Sequence, residues 1–270
     1  MKLSQGKYRS IRGAKAWENG AEVPRARFGA LAGGAVKMRT ISVISSKGGS
    51  GKTTLAVNLA LSAHGRGRSL LLADIDAQQS AAGVLRQRSS PGPEFLATSG
   101  GKLFQLQLGC SRRGLDWLLI DTPCQPDGEI AEAVKLSDLC LIVSRPSFVD
   151  LAAALKTAQL VRQLHRPALV VINQAPPARH GVEAPLVAKA MRSLSLTGFP
   201  VLDLPIRGRT AFQASLDEGL AAAEWEPEGP CGAEMDTLWR AIEAGPRPLQ
   251  SPCAQPIFQH PPAPAQYSAA

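Results

Sequence analysis

The chain has 270 residues, with 30 Lys+Arg against 22 Asp+Glu and 44% apolar residues, which suits one sizeable globular domain with appendages and excludes a wholly disordered chain. No apolar run approaches the roughly 18–20 residues of a membrane helix, the first twenty residues lack the apolar stretch of a secretory leader, and the five cysteines include no C-x-x-C pair, so reduced thiols and a cytoplasmic setting are expected. The net charge of +8 raises nucleic acid as a partner, but residues 1–37 carry +6 of it, 38–244 only +1 and 245–270 the last +1.

Residues 1–37 mix Lys and Arg with Gly, Ser and Ala and show no apolar periodicity. They read as a basic flexible arm, or as a mis-annotated start upstream of a true initiation at Met38. From Met38 the pattern alternates. Strands are predicted at Thr40–Ser45, Ser69–Ala73, Trp117–Ile120, Leu139–Val143, Ala168–Ile172 and Pro200–Leu202, with a further strand at Phe104–Leu108. Helices are predicted at Thr53–Ala63, Gly128–Lys135, Leu151–Leu164, Ala184–Ser193 and Met235–Glu243. The stretch between Gln87 and Leu115 looks abbreviated. From Gly245 onward, seven prolines in 26 residues block regular structure and read as a flexible tail. Continuous apolar strands separated by helices predict an α/β domain over 38–244. It would be a three-layer sandwich around a mostly parallel sheet of about six to eight strands, binding ligands at the strands' carboxyl ends.

The chemistry starts between the first strand and the first helix. Ser46-Lys47-Gly48-Gly49-Ser50-Gly51-Lys52-Thr53 fits the frame G-x-x-x-x-G-K-[ST], with serine in place of the first glycine. Glycines let backbone N–H groups turn inward around phosphate oxygens, and the following helix aims its positive dipole end at them. Lys52 reaches the β and γ phosphates, and the Thr53 hydroxyl suits Mg²⁺. The site residues expected on these grounds are Lys47, Gly48, Gly49, Ser50, Gly51, Lys52, Thr53 and Thr54. Two further strands end in acids: Leu70–Ala73 runs into Asp74-Ile75-Asp76, and Trp117–Ile120 into Asp121-Thr122-Pro123. An acid at such a strand end can hold Mg²⁺ through water.

With Lys47 the loop reads K-G-G-x-G-K-T-T, and it resembles the deviant phosphate loop of the ParA/MinD family of P-loop ATPases. The resemblance spans about 38–244. It implies ATP and Mg²⁺ as cofactors, ATP hydrolysis, and a homodimer that sandwiches ATP, with Lys47 reaching the partner's phosphates. By the same resemblance Asp76 contacts the Mg²⁺ shell and activates the attacking water, Asp74 supports it, and Asp121 holds the metal. Ala77 and Gln79-Ser80 depart from the family's D-x-D-P-Q and Gly-Asn. Asn173 stands where the family places an asparagine against adenine, although it could also be a turn residue. Val143-Ser144-Arg145-Pro146-Ser147, continued by Phe148-Val149-Asp150-Leu151, resembles the family's P-x-S-x-x-D-L-x-A stretch, and Asp150 is equally an ordinary first-turn helix residue. Ile206–Phe212 matches I-x-x-R-x-A-F, which makes Arg207 and Arg209 candidate DNA contacts or plain surface charges. Cys124 lacks the Gly-Gly that follows the cluster cysteine of nitrogenase-type iron proteins and reads better as a small buried residue.

Taken together, the resemblance implies a ParA-like ATPase. It would dimerise on ATP, bind DNA without sequence preference and associate with the nucleoid. Hydrolysis, stimulated by a ParB-like or other cargo-linked activator, would position plasmid or chromosomal DNA or a protein cargo. The alternative is a MinD-like membrane-cycling regulator of division or polar placement, which needs a C-terminal amphipathic helix that the proline-rich tail does not offer. A nucleotide-gated adaptor without turnover is a third reading, and the presence of Lys47, Lys52 and Asp76 argues against it. No arginine finger in cis is identifiable in the sequence.

Overall fold

A computed structural model describes residues 38–125 and 127–245. The basic arm and the proline-rich tail beyond Gly245 lie outside the described residues.

Among the described residues, six strands alternate with helices. β1 (Arg39–Ile44) leads to α1 (Lys52–Gly65), β2 (Leu70–Asp74) to α2 (Ser80–Gln87), and β3 (Glu94–Ala97) to α3 (Leu103–Arg112). β4 (Trp117–Asp121) leads to α4 (Asp127–Leu136), β5 (Leu139–Ser144) to α5 (Phe148–Gln163), and β6 (Ala168–Ile172) to α6 (Pro185–Ser195). Three helices follow: α7 (Ala211–Asp217), α8 (Ala222–Trp225) and α9 (Cys231–Ala244). The strands form one parallel sheet in the order β3-β2-β4-β1-β5-β6. Every carboxyl end therefore points the same way, and β1, which feeds the phosphate loop, sits between β4 and β5.

Both faces of the sheet are covered, which is why β1, β2, β4, β5 and β6 are buried almost throughout and why all of these but β1, which buries Thr40 and Ser42, carry continuous apolar runs. The period of two assigns side chains to layers. Ile41, Val43, Leu72, Leu119 and Leu141 pack toward α1, α7 and α9, while Ile44, Ile142 and Ile172 pack toward α4, α5 and α6. α1 is apolar nearly all round because it lies between the sheet and α9, where Trp239 Nε1 donates to the Leu59 carbonyl (3.1 Å). Trp239 also meets Trp117 edge-on at 5.3 Å, tying the last helix to β4.

The expected α/β architecture holds, with corrections. Phe104–Leu108 is not a strand but the first half of α3. Leu103, Leu106 and Cys110 recur at helical spacing and are buried, whereas Phe104 and Leu108 face out. The edge strand is Glu94–Ala97, whose half-buried residues give no clean apolar signal. Pro200–Leu202 runs beside β6 but makes only the single bridge Val170↔Val201, since Pro200 has no N–H for the ladder. The helices α2, α7 and α8 escaped the sequence reading.

Candidate nucleotide-phosphate site

The phosphate loop spans the gap from β1 to α1, and two of its glycines take backbone conformations with positive φ: Gly49 at 74° and Gly51 at 87°. Gly51 is enforced twice, because a Cβ there would also collide with Asn173 Nδ2. Ser46 occupies the position where the general loop has glycine, and it serves as an anchor. Its N–H donates to Thr157 Oγ1 (3.2 Å) and its hydroxyl to the Ala153 carbonyl (3.1 Å), pinning the loop entrance to α5. Gly48 and Gly49 are exposed at the mouth, Lys47 is half-buried, and Ser50 is buried with its hydroxyl unpaired. Thr53 and Thr54 follow on the first turn of α1.

Lys52 opens α1 and is buried. Its ammonium donates weakly to the Lys47 carbonyl at 3.4 Å, so its charge lies inside the loop. Burial pushes its pKa down, opposed by the charges of Asp121, Cys124 and Asp76. Asp121 and Asp74 are register neighbours on β4 and β2. They are not equivalent. Asp74 spends its carboxylate on structure, accepting from Asp76 N (3.1 Å) and Ala82 N (2.9 Å) and so fixing the turn that carries Asp76. Burial raises the Asp74 pKa, and those two N–H bonds hold it back. Asp76 is half-buried, with Oδ1 accepting from Gln78 N (2.9 Å).

Asp121 is fully buried, and neither carboxylate oxygen makes a well-formed hydrogen bond among the described residues. Burial drives its pKa up to about 7. The Thr53 hydroxyl and Lys52 pull it down, while Asp74 and Asp76 push it further up. A buried acid without partners is costly unless something cationic completes it. The donors fit a hydrated Mg²⁺ carried on a polyphosphate. Among the described residues no three His, Cys, Asp or Glu side chains converge to hold an ion alone, and Mg²⁺ ordinarily keeps waters and takes phosphate oxygens with one or two carboxylates.

Asn173 lies at the end of β6, where the sequence reading put it, and its amide faces the phosphate loop. Nδ2 donates to the Ser50 carbonyl at 2.9 Å. The neighbouring Gln174, which the sequence reading missed, sits in left-handed backbone (φ 52°) and donates through Nε2 to the Gly49 carbonyl (3.2 Å). The two amides hold successive loop carbonyls outward, which leaves the loop's N–H groups for an anion. Their one sequence signal is a pair of carboxamides directly after a strand.

Arg207 and Arg209, the candidate DNA contacts, are both paired with carboxylates. Arg207 is nine-tenths buried and pairs in fork geometry with Glu183 (2.5 and 2.8 Å) while donating to the Pro176 carbonyl (2.8 Å). Arg209 is bound to the buried Glu234 (2.8 Å), which also accepts from Arg207 N. Both guanidiniums are paired with a carboxylate; the tie from this segment to α9 runs through the Arg209 guanidinium and the Arg207 N–H, both on Glu234. Cys124 is half-buried beside Gly48, as its reading as a small packing residue anticipated.

The comparisons with known proteins agree with this geometry. The family model for the CobQ/CobB/MinD/ParA nucleotide binding domain matches residues 41–222. The "maintenance of carboxysome distribution protein A" of Gloeobacter kilaueensis is 30% identical over 209 residues, covering 73% of this chain and 90% of that protein. Its namesake from Halothiobacillus neapolitanus is 26% identical over 211 residues, covering 73% and 93%. Among solved structures, a Cyanothece McdA–ATP complex superposes with a TM-score of 0.63 at 16% identity, over 77% of this chain and 97% of that one. The MinD cell division ATPase of Pyrococcus furiosus gives 0.61 at 21%, over 76% and 98%. At such identities the structures establish a shared fold, while the family match and the 30% relative carry the assignment. The chain belongs to the CobQ/CobB/MinD/ParA nucleotide-binding family.

Proposed function

We propose that this protein is a ParA-like positioning ATPase that binds ATP with Mg²⁺ and uses hydrolysis to distribute a protein cargo. The observation that carries this reading is the complete phosphate loop, Lys47 through Thr54, in a chain matching two carboxysome-distribution proteins over 90% or more of their length. The loop N–H groups and Lys52 hold the phosphates, and Lys47 reaches the partner's nucleotide in an ATP-bridged homodimer. Thr53, Asp76 and Asp121 would hold Mg²⁺, which neutralises charge developing on the phosphates. Asp76 orients the attacking water, and Asn173 adds an adenine contact to its hold on the loop. ATP-loaded dimers associate with nucleoid DNA without sequence preference, and a cargo-linked activator triggers hydrolysis and release. The names of the relatives favour a protein assembly over a plasmid or chromosome as cargo.

Co-sedimentation with DNA, with and without ATP and with anionic liposomes in parallel, tests the cycle. Binding to DNA only with ATP supports it, and binding to liposomes instead would move the protein to the membrane-cycling class. Lys52→Ala should abolish nucleotide binding, and Asp76→Ala should trap an ATP-bound dimer on DNA. Unchanged turnover in either variant would refute the corresponding role.

A further inference from the structure

We propose that Arg145 is a catalytic residue, a guanidinium supplied in cis to the terminal phosphates held by the loop it flanks. The inference rests on the ATPase reading and adds to it a positive group from outside the phosphate loop.

The placement follows from the sheet. β5 lies directly beside β1, with Val43 opposite Leu141 and Ile44 opposite Ile142, so the residue leaving β5 emerges next to the residues leaving β1. Arg145 is that residue. Its Nη1 lies 3.8 Å from where a Cβ on Gly49 would stand, at the open rim of the phosphate loop.

The guanidinium is aimed by a second group. Nε donates to Asp150 Oδ1 at 3.0 Å. Asp150 is 3% exposed, and its other oxygen is held by the Ser147 hydroxyl, the N-cap of α5. One edge of the guanidinium is thus fixed against a buried carboxylate on a rigid helix start. The opposite edge keeps the N–H groups of Nη1 and Nη2, which make no hydrogen bond among the described residues. The side chain is 35% exposed, half withdrawn from water yet open on the loop side. An ion pair that merely braced the turn could form anywhere along it. This one leaves the phosphate-matching fork of the arginine over the glycines that must cradle an anion.

Chemically, transfer of the γ-phosphoryl group to water concentrates charge on the terminal oxygens, and a preorganised arginine stabilises that charge. No proton need leave the guanidinium. Asp150 acts through Arg145 and is a positioning residue.

Single-turnover hydrolysis of radiolabelled ATP by the full-length protein tests the proposal. Binding of fluorescent ADP and of a non-hydrolysable ATP analogue is measured in parallel. Arg145→Ala should slow hydrolysis about 100-fold and weaken the ATP analogue while changing ADP affinity less than about threefold, because the contact is to the terminal phosphate. Millimolar guanidinium should restore part of the rate, and Arg145→Lys should retain part, keeping the charge without the fork. Asp150→Asn should fall between wild type and Arg145→Ala. Hydrolysis within threefold of wild type in Arg145→Ala overturns the proposal, as does a slow variant that guanidinium leaves unrescued. Lys52→Ala separates the two levels of inference. If it binds nucleotide normally, the ATPase reading itself fails; if it loses nucleotide while Arg145→Ala behaves as wild type, only the role of Arg145 falls.

Discussion

Replacing Asp121 by asparagine should stabilise the nucleotide-free protein and abolish magnesium-dependent turnover. The wild-type carboxyl is fully buried, makes no well-formed hydrogen bond among the described residues and, despite the pull of the Thr53 hydroxyl and Lys52, is pushed up to about 7 from an ordinary 3.8. Below about pH 4 it is protonated in both folded and unfolded chains and contributes no pH dependence. Between about pH 4 and 7 the unfolded chain ionises while the folded one keeps its proton, so stability falls as pH rises. Above about 7 the cost is fully expressed. A displacement of about three units corresponds to on the order of 4 kcal/mol as an upper bound. An asparagine amide stranded in the same place costs about 1–3 kcal/mol at every pH. The net gain at pH 8 is then about 1–3 kcal/mol, which in a domain of this size raises Tm by about 3–10 °C. Thermal unfolding of both proteins from pH 5 to 8, in chelator and without nucleotide, measures it. The advantage of Asp121→Asn should grow with pH and vanish or reverse near pH 5. Parallel curves, or a variant less stable than wild type at pH 8, would refute the claim that Asp121 is an uncompensated buried charge.

The other expected outcomes concern the loop, the arginine pair and the arm. Gly51→Ala forces a side chain into left-handed backbone and into Asn173; nucleotide titration should show binding weakened at least tenfold, with about 1–3 kcal/mol lost in denaturant unfolding. Arg207→Ala strands Glu183 and empties a nine-tenths-buried site, so it should cost about 1–3 kcal/mol of stability, whereas Arg209→Ala should leave DNA affinity at native temperature within about twofold. A chain beginning at Met38 loses +6 of charge. If the arm supplies the attraction to DNA, the slope of log affinity against log salt should shrink by up to about 5; an unchanged slope would place the contacts within 38–270.

Much of the sheet and the phosphate loop could be read from the sequence because both are local patterns. A fully covered parallel strand is apolar nearly throughout, and Leu70–Ala73 or Leu139–Val143 satisfy that within one short window. The phosphate loop is a contiguous motif whose glycines are needed for backbone reasons at fixed offsets. The misreadings have long-range causes. Phe104–Leu108 looked strand-like because two of its apolar residues face outward, breaking the helical stripe. Glu94–Ala97 was invisible because all four of its residues are half-buried, so neither a continuous apolar run nor a clean alternation marks it. The ion pairs of Arg207 and Arg209 gave no signal because their partners, Glu183 and Glu234, lie 24 and 25 residues away along the chain. No spacing rule links residues so far apart.

Arg145, Asn173 and Gln174 belong with those long-range cases and explain why the site contains more than its motif. The motif provides N–H groups, a lysine and a hydroxyl, all from one segment. What holds the loop's carbonyls outward and lays a guanidinium along its rim comes from the ends of β6 and β5, which the sheet order places together on one side of β1. The site is also where Asp121 keeps its carboxyl in the core with no well-formed hydrogen bond among the described residues. It lies beside the loop that a polyphosphate with Mg²⁺ would fill. Such a ligand would complete Asp121 and engage the loop N–H groups together. Nucleotide loading should therefore order the loop and relieve the buried charge in one event, coupling occupancy to stability.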